Sequence, residues 1–306
     1  MSKRILVVGS INMDLVMKTP RVPAAGQTIR GETLAMIPGG KGANQAVAVA
    51  RLGLPVLLSG RVGRDYFGDS LLEGLSRNGV DTRHIERDAG AATGTAVIFV
   101  EPSGENTIVF APGANGRFSM DSAAGVGKLL DEVDLVLAQL ELPLEPVAQV
   151  IRLARAAGKP VVLDAGPPCA HPLPAFFQVT VLTPNEAEAE ALTGKPIQDL
   201  DCAIQSARLL LEKGPEAVVL KLGAKGALLA TRDGERFFPA YRVKAVDPTA
   251  AGDAFSAALS VALGEGKTLP EAVEVANAAG ALAVTRLGAQ PSLPTREELE
   301  NFLKKA

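Results

Sequence analysis

The feature that most constrains this chain is an alternation. Short, nearly unbroken runs of Val, Ile and Leu are separated by longer stretches with helical spacing. The runs are ILVVG (5–9), DLVLAQLE (134–141), PVVLDAG (160–166), VTVLTPNE (179–186) and AVVLKLG (217–223). A strand that is apolar at every position is covered on both faces, which is the mark of a parallel sheet. Helical patterns fall at 42–53, 67–78, 144–157, 199–213, 252–264 and 269–286. Strand and helix in alternation predict a doubly wound α/β fold with a mostly parallel sheet. Residues 12–38 and 93–111 break the rhythm, since they carry strand-like patterns and turn residues with no helix to cover them. The stretch TGTAVIFVEPSGENTIVF predicts a hairpin turning near Pro102-Ser103-Gly104. We expect one domain over 1–306, with these two segments forming a small β-sheet that projects as a lid.

Composition excludes several classes. A net charge of −3 gives no basic surface for nucleic acid. Only two histidines (His84, His171) and two distant cysteines (Cys169, Cys202) are present. A zinc site or a Ser-His-Asp triad is therefore poorly supplied, and the unpaired thiols suit a reducing cytoplasm. The N-terminal apolar run Ile5–Gly9 is too short for a signal peptide, and no stretch is long enough for a membrane span.

In open α/β sheets, ligands bind beyond the carboxyl ends of the strands, so the residues following each strand are the candidates. After the first comes GSINMD (9–14), where Asn12 and Asp14 share a face if extended. An amide and a carboxylate suit a polyhydroxylated ligand, although both are also common in plain turns. PGGKGANQA (38–46) opens a helix with Gly39, Gly40, Lys41 and Asn44. It is no Walker A loop, because Ala35 stands at the first Gly position and Gly42 follows the lysine. Gly266-Lys267-Thr268 fails as well, with Val261 at that first position. A Gly-Gly turn before a helix reads equally as a cap or as a ligand loop. Glu141 ends its strand, either as a solvated terminus or as part of a hydroxyl-binding ring with Asp14 and Asn44. TPNEAEAE (183–190) is explained by helix capping, with a nucleotide or magnesium-water site as the alternative. KLGAKG (221–226) reads as a hairpin turn or as a phosphate-binding loop flanked by Lys221 and Lys225.

DPTAAGDAFSAAL (247–259) carries the sharpest signal. A helix begins near 252, with Phe255, Leu259 and Leu263 on one face, and its first N–H groups attract an anion. Ala250, Ala251 and Gly252 leave room for a phosphate against the backbone, with Asp253 at the same mouth. A capping acid needs no small-residue run in front of it. A general base facing a transferring phosphoryl group does.

GSINMD, GGKGANQA, QLE (139–141), TPNEAE and AAGD, in that order, resemble the ribokinase branch of the PfkB carbohydrate kinases over essentially the whole chain. VTRLGAQPSLP (284–294) is similar to the C-terminal pattern of that branch. The resemblance implies ATP-dependent phosphorylation of D-ribose at its 5-hydroxyl, with Asp253 as base. It implies that Asn12, Asp14, Gly40, Lys41, Asn44 and Glu141 hold the sugar, while Ala96 and Phe110 touch it from the lid. Asn185, Glu188, Lys221, Gly223, Ala224, Lys225, Gly226, Gly252 and Asn277 would surround ATP and Mg2+. Asp247, Thr249, Ala283, Arg286, Gly288 and Ser292 would form K+ loops. Homodimerisation through the lid sheets is also implied. Lys221 stands where Thr is common in that branch, and Asn277 where some members have His. Pro248, Ala254 and Ser256 also differ from familiar members, but they flank the acid without replacing it.

Three other readings stay open. Asp14 and Glu141 would repel a sugar that already carries phosphate, which favours a neutral polyol. A nucleoside kinase would need stacking groups for a base, and aromatics are only 4% of the chain with no Trp. A non-catalytic sugar sensor would be expected to lack Asp253. A dinucleotide oxidoreductase would need GxGxxG after the first strand, where Gly9 is followed by SINMD.

Overall fold

A computed structural model describes residues 3–103 and 105–305. The first part of the chain gives β1 (Ile5–Val8), β2 (Asn12–Lys18), β3 (Thr33–Gly39), α1 (Lys41–Arg51), β4 (Val56–Gly63) and α2 (Tyr66–Arg77). Then come β5 (Val80–Asp81), β6 (Ile85–Asp88), β7 (Gly94–Val100), β8 (Asn106–Ala111), α3 (Met120–Gly127), β9 (Leu135–Gln139) and α4 (Leu144–Ala156). The second half holds β10 (Val161–Asp164), β11 (Val181–Thr183), α5 (Glu186–Thr193), α6 (Leu200–Glu212), β12 (Ala217–Lys221), β13 (Gly226–Thr231) and β14 (Gly234–Pro239). It ends with α7 (Ala251–Gly264), α8 (Leu269–Ala283) and α9 (Arg296–Leu303).

The large sheet runs β14-β13-β12-β11-β10-β9-β1-β4-β5, with β6 also pairing β4. All its pairs are parallel except β12–β13 and β13–β14. Alternation along β1 divides the core. Ile5 and Val7 face α1, α2, α7, α8 and α9, whereas Leu6 and Val8 face α3 to α6. Both faces are therefore covered, as the apolar runs demand. β1 lies between β4 and β9, so the chain winds outward in one direction, returns past β1, and winds in the other. That reversal is where such sheets place ligands.

The small sheet, ordered β3-β2-β7-β8, contains the two segments that broke the α/β rhythm. β7 and β8 form the expected hairpin, with Glu101 N–H donating to the Glu105 carbonyl at 3.0 Å. Of the turn residues named from sequence, Gly104 lies outside the described residues.

Three expectations shift. β4 lies between β1 and the short edge strand β5, and its run VLLSGRVG is interrupted by Ser59, Gly60 and Arg61, so it has no clear apolar signature. The helix read over 269–286 stops at Ala283, where residues 284–288 turn back toward Asp247. α7 is buried from Asp253 to Ala262, wider than the single face carrying Phe255 and Leu259. Its Ala and Ser residues let it lie close against the Ala-rich α8 and against α1.

Candidate active site

The candidate site forms beyond the carboxyl ends of β1, β9, β10 and β12, where helix N-termini and the small sheet converge. Gly40 takes a left-handed conformation (φ 88°) and caps α1. A Cβ there would lie 2.8 Å from both the Ser10 carbonyl and the Asn12 nitrogen. The close approach inferred for the Gly-Gly pair is thus to the protein's own β1–β2 connection. Packed this tightly, the first turn of α1 delivers Lys41, Asn44 and Gln45 to the centre.

Asp253 sits in the first turn of α7 and is 6% exposed. Asn44 Nδ2 donates to its Oδ2 at 2.9 Å, and Gln45 Nε2 donates to its Oδ1 at 3.1 Å. Lys41 Nζ stands 3.8 Å away. Burial raises the Asp253 carboxyl above its ordinary range, against the pull of Lys41, which makes it a better proton acceptor. Ala250, just before the helix, is the one non-glycine residue among those described with positive φ (60°). A left-handed alanine costs on the order of 1 kcal/mol. In the turn it closes, the Ala251 N–H donates to the Pro248 carbonyl at 3.2 Å, so one of the N–H groups expected to face an anion is already used. The Lys221 ammonium lies 3.7 Å from where a Gly252 Cβ would be, so positive charge and backbone donors share this mouth.

A second buried acid, Asp164 at the end of β10, was not singled out from sequence. It is fully buried and receives Lys221 Nζ at 2.8 Å, Gln45 Nε2 at 2.8 Å and Lys41 Nζ at 3.6 Å. Burial opposes its ionisation, but Lys221 and Lys41 hold it below the usual carboxylate range. Lys41 is itself held above its usual range: burial works against its charge, and Asp164, Asp253, Glu188 and Glu141 outweigh it. Gln45 bridges the two acids through one amide nitrogen and accepts from Gln139 Nε2 at 2.5 Å through its oxygen. Asp164 and Gln139 are polar residues at the carboxyl ends of otherwise apolar strands. The strand-end rule that selected Asp14 and Glu141 would have found them too.

Glu141 lies beyond β9, which closes at Gln139, so it is a turn residue and does not end the strand. It takes the Ser10 hydroxyl and the Lys41 backbone N–H (3.2 Å). Its charge is felt at Asp14, whose carboxyl is pushed up to about 6 by burial first and Glu141 second. Direct pairing places Ile37, Asp14, Ala96 and Phe110 in one row across the small sheet. Paired residues share a face, so Ala96 and Phe110 lie on the Asp14 side. Gly39, Asn12 and Gly94 form the next row on that face.

Asn185 caps α5, with Glu188 N–H donating to its Oδ1 at 2.9 Å, and the Glu188 carboxylate accepts from Asn185 N–H at 2.7 Å. Capping therefore accounts for this motif locally. Glu188 is nonetheless buried, its carboxyl raised chiefly by that burial, and it stands 3.9 Å from Lys221. Gly223, Ala224 and Lys225 form a single turn that joins antiparallel β12 to β13, the hairpin alternative for KLGAKG. Lys225 pairs with Glu186 at 3.1 Å. Gly226 begins β13 with φ 120°, and a Cβ there would strike the Phe238 carbonyl at 2.0 Å. Asn277 donates its Nδ2 to the Pro239 carbonyl at 2.8 Å, tying α8 to β14.

Of the C-terminal group, Asp247 and Gly288 come together, with Gly288 N–H donating to Asp247 Oδ2 at 2.8 Å. Thr249 donates through its hydroxyl (2.6 Å) and N–H (2.9 Å) to Asp247 Oδ1. Burial works against the Asp247 charge, but these bonds lower its carboxyl overall. Ser292 Oγ donates to the Ala289 carbonyl at 2.8 Å. Arg286 is turned away, its guanidinium paired with Glu298 at 2.6 Å, and Ala283 closes α8. Neither side chain therefore offers an ion a ligand, and the Ala283 carbonyl already accepts the Arg286 N–H at 3.3 Å.

The sequence profile of the pfkB carbohydrate kinases matches residues 2–296. The chain belongs to the pfkB family of carbohydrate kinases. A ribokinase of Haemophilus influenzae is 39% identical over 306 residues, covering 100% of both chains. A Bacillus subtilis ribokinase is 39% identical, covering 98% of this chain and 99% of its own. Among solved structures, the Arabidopsis thaliana ribokinase complexed with ribose and ATP superposes with a TM-score of 0.92 at 34% identity, covering 99% of each chain. The ribokinase-like fold, with its mostly parallel sheet and separate small sheet, thus agrees with the expectation from sequence. Among the described residues, no helix is long and apolar enough to cross a membrane.

Proposed function

We propose that this pfkB kinase transfers the γ-phosphoryl group of ATP to the 5-hydroxyl of D-ribose. The observation that carries the reading is Asp253, a buried acid of raised basicity in the first turn of α7, beside Lys41. Asp253 takes the proton of the sugar hydroxyl as its oxygen bonds to phosphorus and ADP leaves. The N–H groups of Ala250, Gly252 and Asp253, with Lys41 and Lys221, stabilise charge on the phosphoryl oxygens. Asn12, Asp14, Gly40, Asn44 and Glu141 hold the sugar. Asn44 Oδ1 is buried with no partner among the described residues, so it is free to accept a ligand hydroxyl. Asn185, Glu188, Gly223 to Gly226 and Asn277 are assigned to the nucleotide side, and the small sheet acts as the lid.

The buried Glu188 carboxylate is a hard oxygen donor of the kind that suits Mg2+ brought in with ATP, where the ion would neutralise phosphate charge, whereas Asp164 is already taken by Lys221, Lys41 and Gln45. Asp247 with Thr249, Gly288 and the carbonyls of 283–292 suits K+, which would hold these loops beside α7. Turnover is expected to be several-fold faster in potassium than in sodium at equal ionic strength. Equal rates in the two salts would remove the K+ assignment.

Initial rates with ATP and ribose, 2-deoxyribose, fructose, inosine or cytidine test the substrate. Ribose should rank first by kcat/KM, and another acceptor ahead of it overturns the choice. Asp14 adds a pH signature. Its carboxylate is needed to accept sugar hydroxyls, so as pH falls through about 6 the protonated form grows and ribose affinity is lost. A plot of kcat/KM for ribose should bend downward near that pH on the acid side, and Asp14→Asn should abolish the bend. An unchanged profile in the variant counts against the assignment.

We also place the protein in the cytoplasm, consistent with free Cys169 and Cys202. We propose a homodimer through the small sheets, where Leu34, Met36, Ile108, Val109 and Phe110 are exposed. Sedimentation at low and high protein concentration tests this, and a monomer throughout overturns it.

A further inference from the structure

Asn115 belongs to the segment that leaves the small sheet, and it is completely buried. Its Oδ1 accepts Ile11 N–H at 3.0 Å, and its Nδ2 donates to the Ile11 carbonyl at 3.0 Å and to Asn12 Oδ1 at 2.8 Å. The first two bonds fix the orientation of this amide without reference to Asn12. A backbone N–H can only donate and a backbone carbonyl can only accept, so oxygen and nitrogen of Asn115 cannot be exchanged. The atom of Asn12 that faces Asn115 Nδ2 must therefore be its oxygen. The Asn12 amide nitrogen, with no partner among the described residues, is left for a ligand.

Gly94 supplies a second, independent observation. It pairs with Asn12 across the sheet, and a Cβ there would fall 2.2 Å from Asn115 Nδ2 and 2.4 Å from Asn12 Oδ1. The amide-to-amide bond runs over the bare Cα of Gly94, and any side chain at that position would part the two groups.

We propose that Asn115 is a positioning residue for the sugar. It holds Asn12 so that Asn12 meets the ligand only as a hydrogen-bond donor, beside Asp14, which meets it only as an acceptor. This inference rests on the sugar-kinase reading above. The two residues then divide a hydroxyl between them, Asp14 taking its proton and Asn12 donating to its oxygen. If Asn12 were turned over, two acceptors would compete for the same protons.

Asn115→Asp is close to isosteric, keeps the bond from Ile11 N–H and loses both donations. Asn12 then turns its nitrogen to the new carboxylate and its oxygen to the ligand. The expected result is a rise of about tenfold in KM for ribose, with kcat and KM for ATP nearly unchanged. The deciding measurement is a cycle with Asn12→Ala. If Asn115 acts through Asn12, Asn115→Asp changes KM by no more than about twofold in the Asn12→Ala background. A hinge fastener would cost the same in both backgrounds, and that outcome, or a wild-type KM in folded Asn115→Asp, overturns the proposal. Should Asn115→Asp fail to fold, Asn12→Asp replaces it: the new carboxylate still accepts from Asn115 but gives the ligand no donor. It should raise KM by about tenfold, and an unchanged KM overturns the proposal. Failure of the wild type to use ribose would instead reject the substrate reading, and the cycle is then measured on the sugar it turns over best.

Discussion

Asp253→Asn should lower kcat by about three decades while leaving the dissociation constant for ribose within a few-fold of wild type. The variant removes the basic lone pair and keeps the shape. Its amide can also be accommodated. Gln45 cannot turn over, because its oxygen holds Gln139 and its nitrogen holds Asp164. Asn44 can, since its Oδ1 is unpartnered and is able to accept the new N–H. The substituted amide would then present its oxygen to Gln45 and its nitrogen to Asn44. The turned Asn44 would carry its own nitrogen to the unpartnered side, where a sugar hydroxyl can accept from it instead of donating. Calorimetric titration with ribose and steady-state rates separate the two quantities. A variant with most of its activity intact would dismiss Asp253 as the base, and a large loss of ribose affinity would mean that the site had collapsed.

Asp164→Asn should cost about 3 kcal/mol of stability and at least about tenfold in kcat/KM for ATP. One fully buried carboxylate here answers two ammonium groups and one amide. An asparagine can turn oxygen toward Lys221 or toward Gln45, and it leaves the other facing an N–H group. Neutralising it also leaves Lys41 and Lys221 with less compensation in a site where neither can move far into water. Thermal unfolding should show a lower Tm, with the loss in kcat/KM falling on ATP more than on ribose. Wild-type stability and rates would show that the Lys41–Asp164–Lys221 group is neither structural nor functional. These two variants separate the acids that Gln45 joins, one reading out in kcat and the other in stability and nucleotide use.

The order of the chain already contained most of the fold. Apolar runs such as PVVLDAG can only be buried strands, and the helical spacings between them can only cover those strands. Asn12 and Asp14 were legible as a pair because alternation in a strand is strictly twofold. Asp253 was legible because three small residues in front of a helix serve an anion better than they serve a cap. What escaped was of two kinds. β4 was obscured because a strand that carries Ser59, Gly60 and Arg61 no longer looks apolar. Asp164 and Gln139 stand at strand ends and were within reach of the same rule that selected Glu141. Gln45 and Asn115, by contrast, are ordinary polar residues locally and gain meaning from partners as many as 208 residues away, the separation between Gln45 and Asp253.

The sequence by itself determined the α/β winding, the two-segment small sheet and the identity of the acid at the mouth of α7, since each follows from local spacing and residue type. Only the tertiary structure decided which groups answer which. It set Asp164 between two lysines, turned Arg286 onto Glu298 and away from the proposed ion loops, and fixed which atom of Asn12 remains for a ligand. The physical reason is that hydrogen bonds and ion pairs are directional and short in range. Their partners are chosen by the packing of distant strands and helices, which no local pattern encodes.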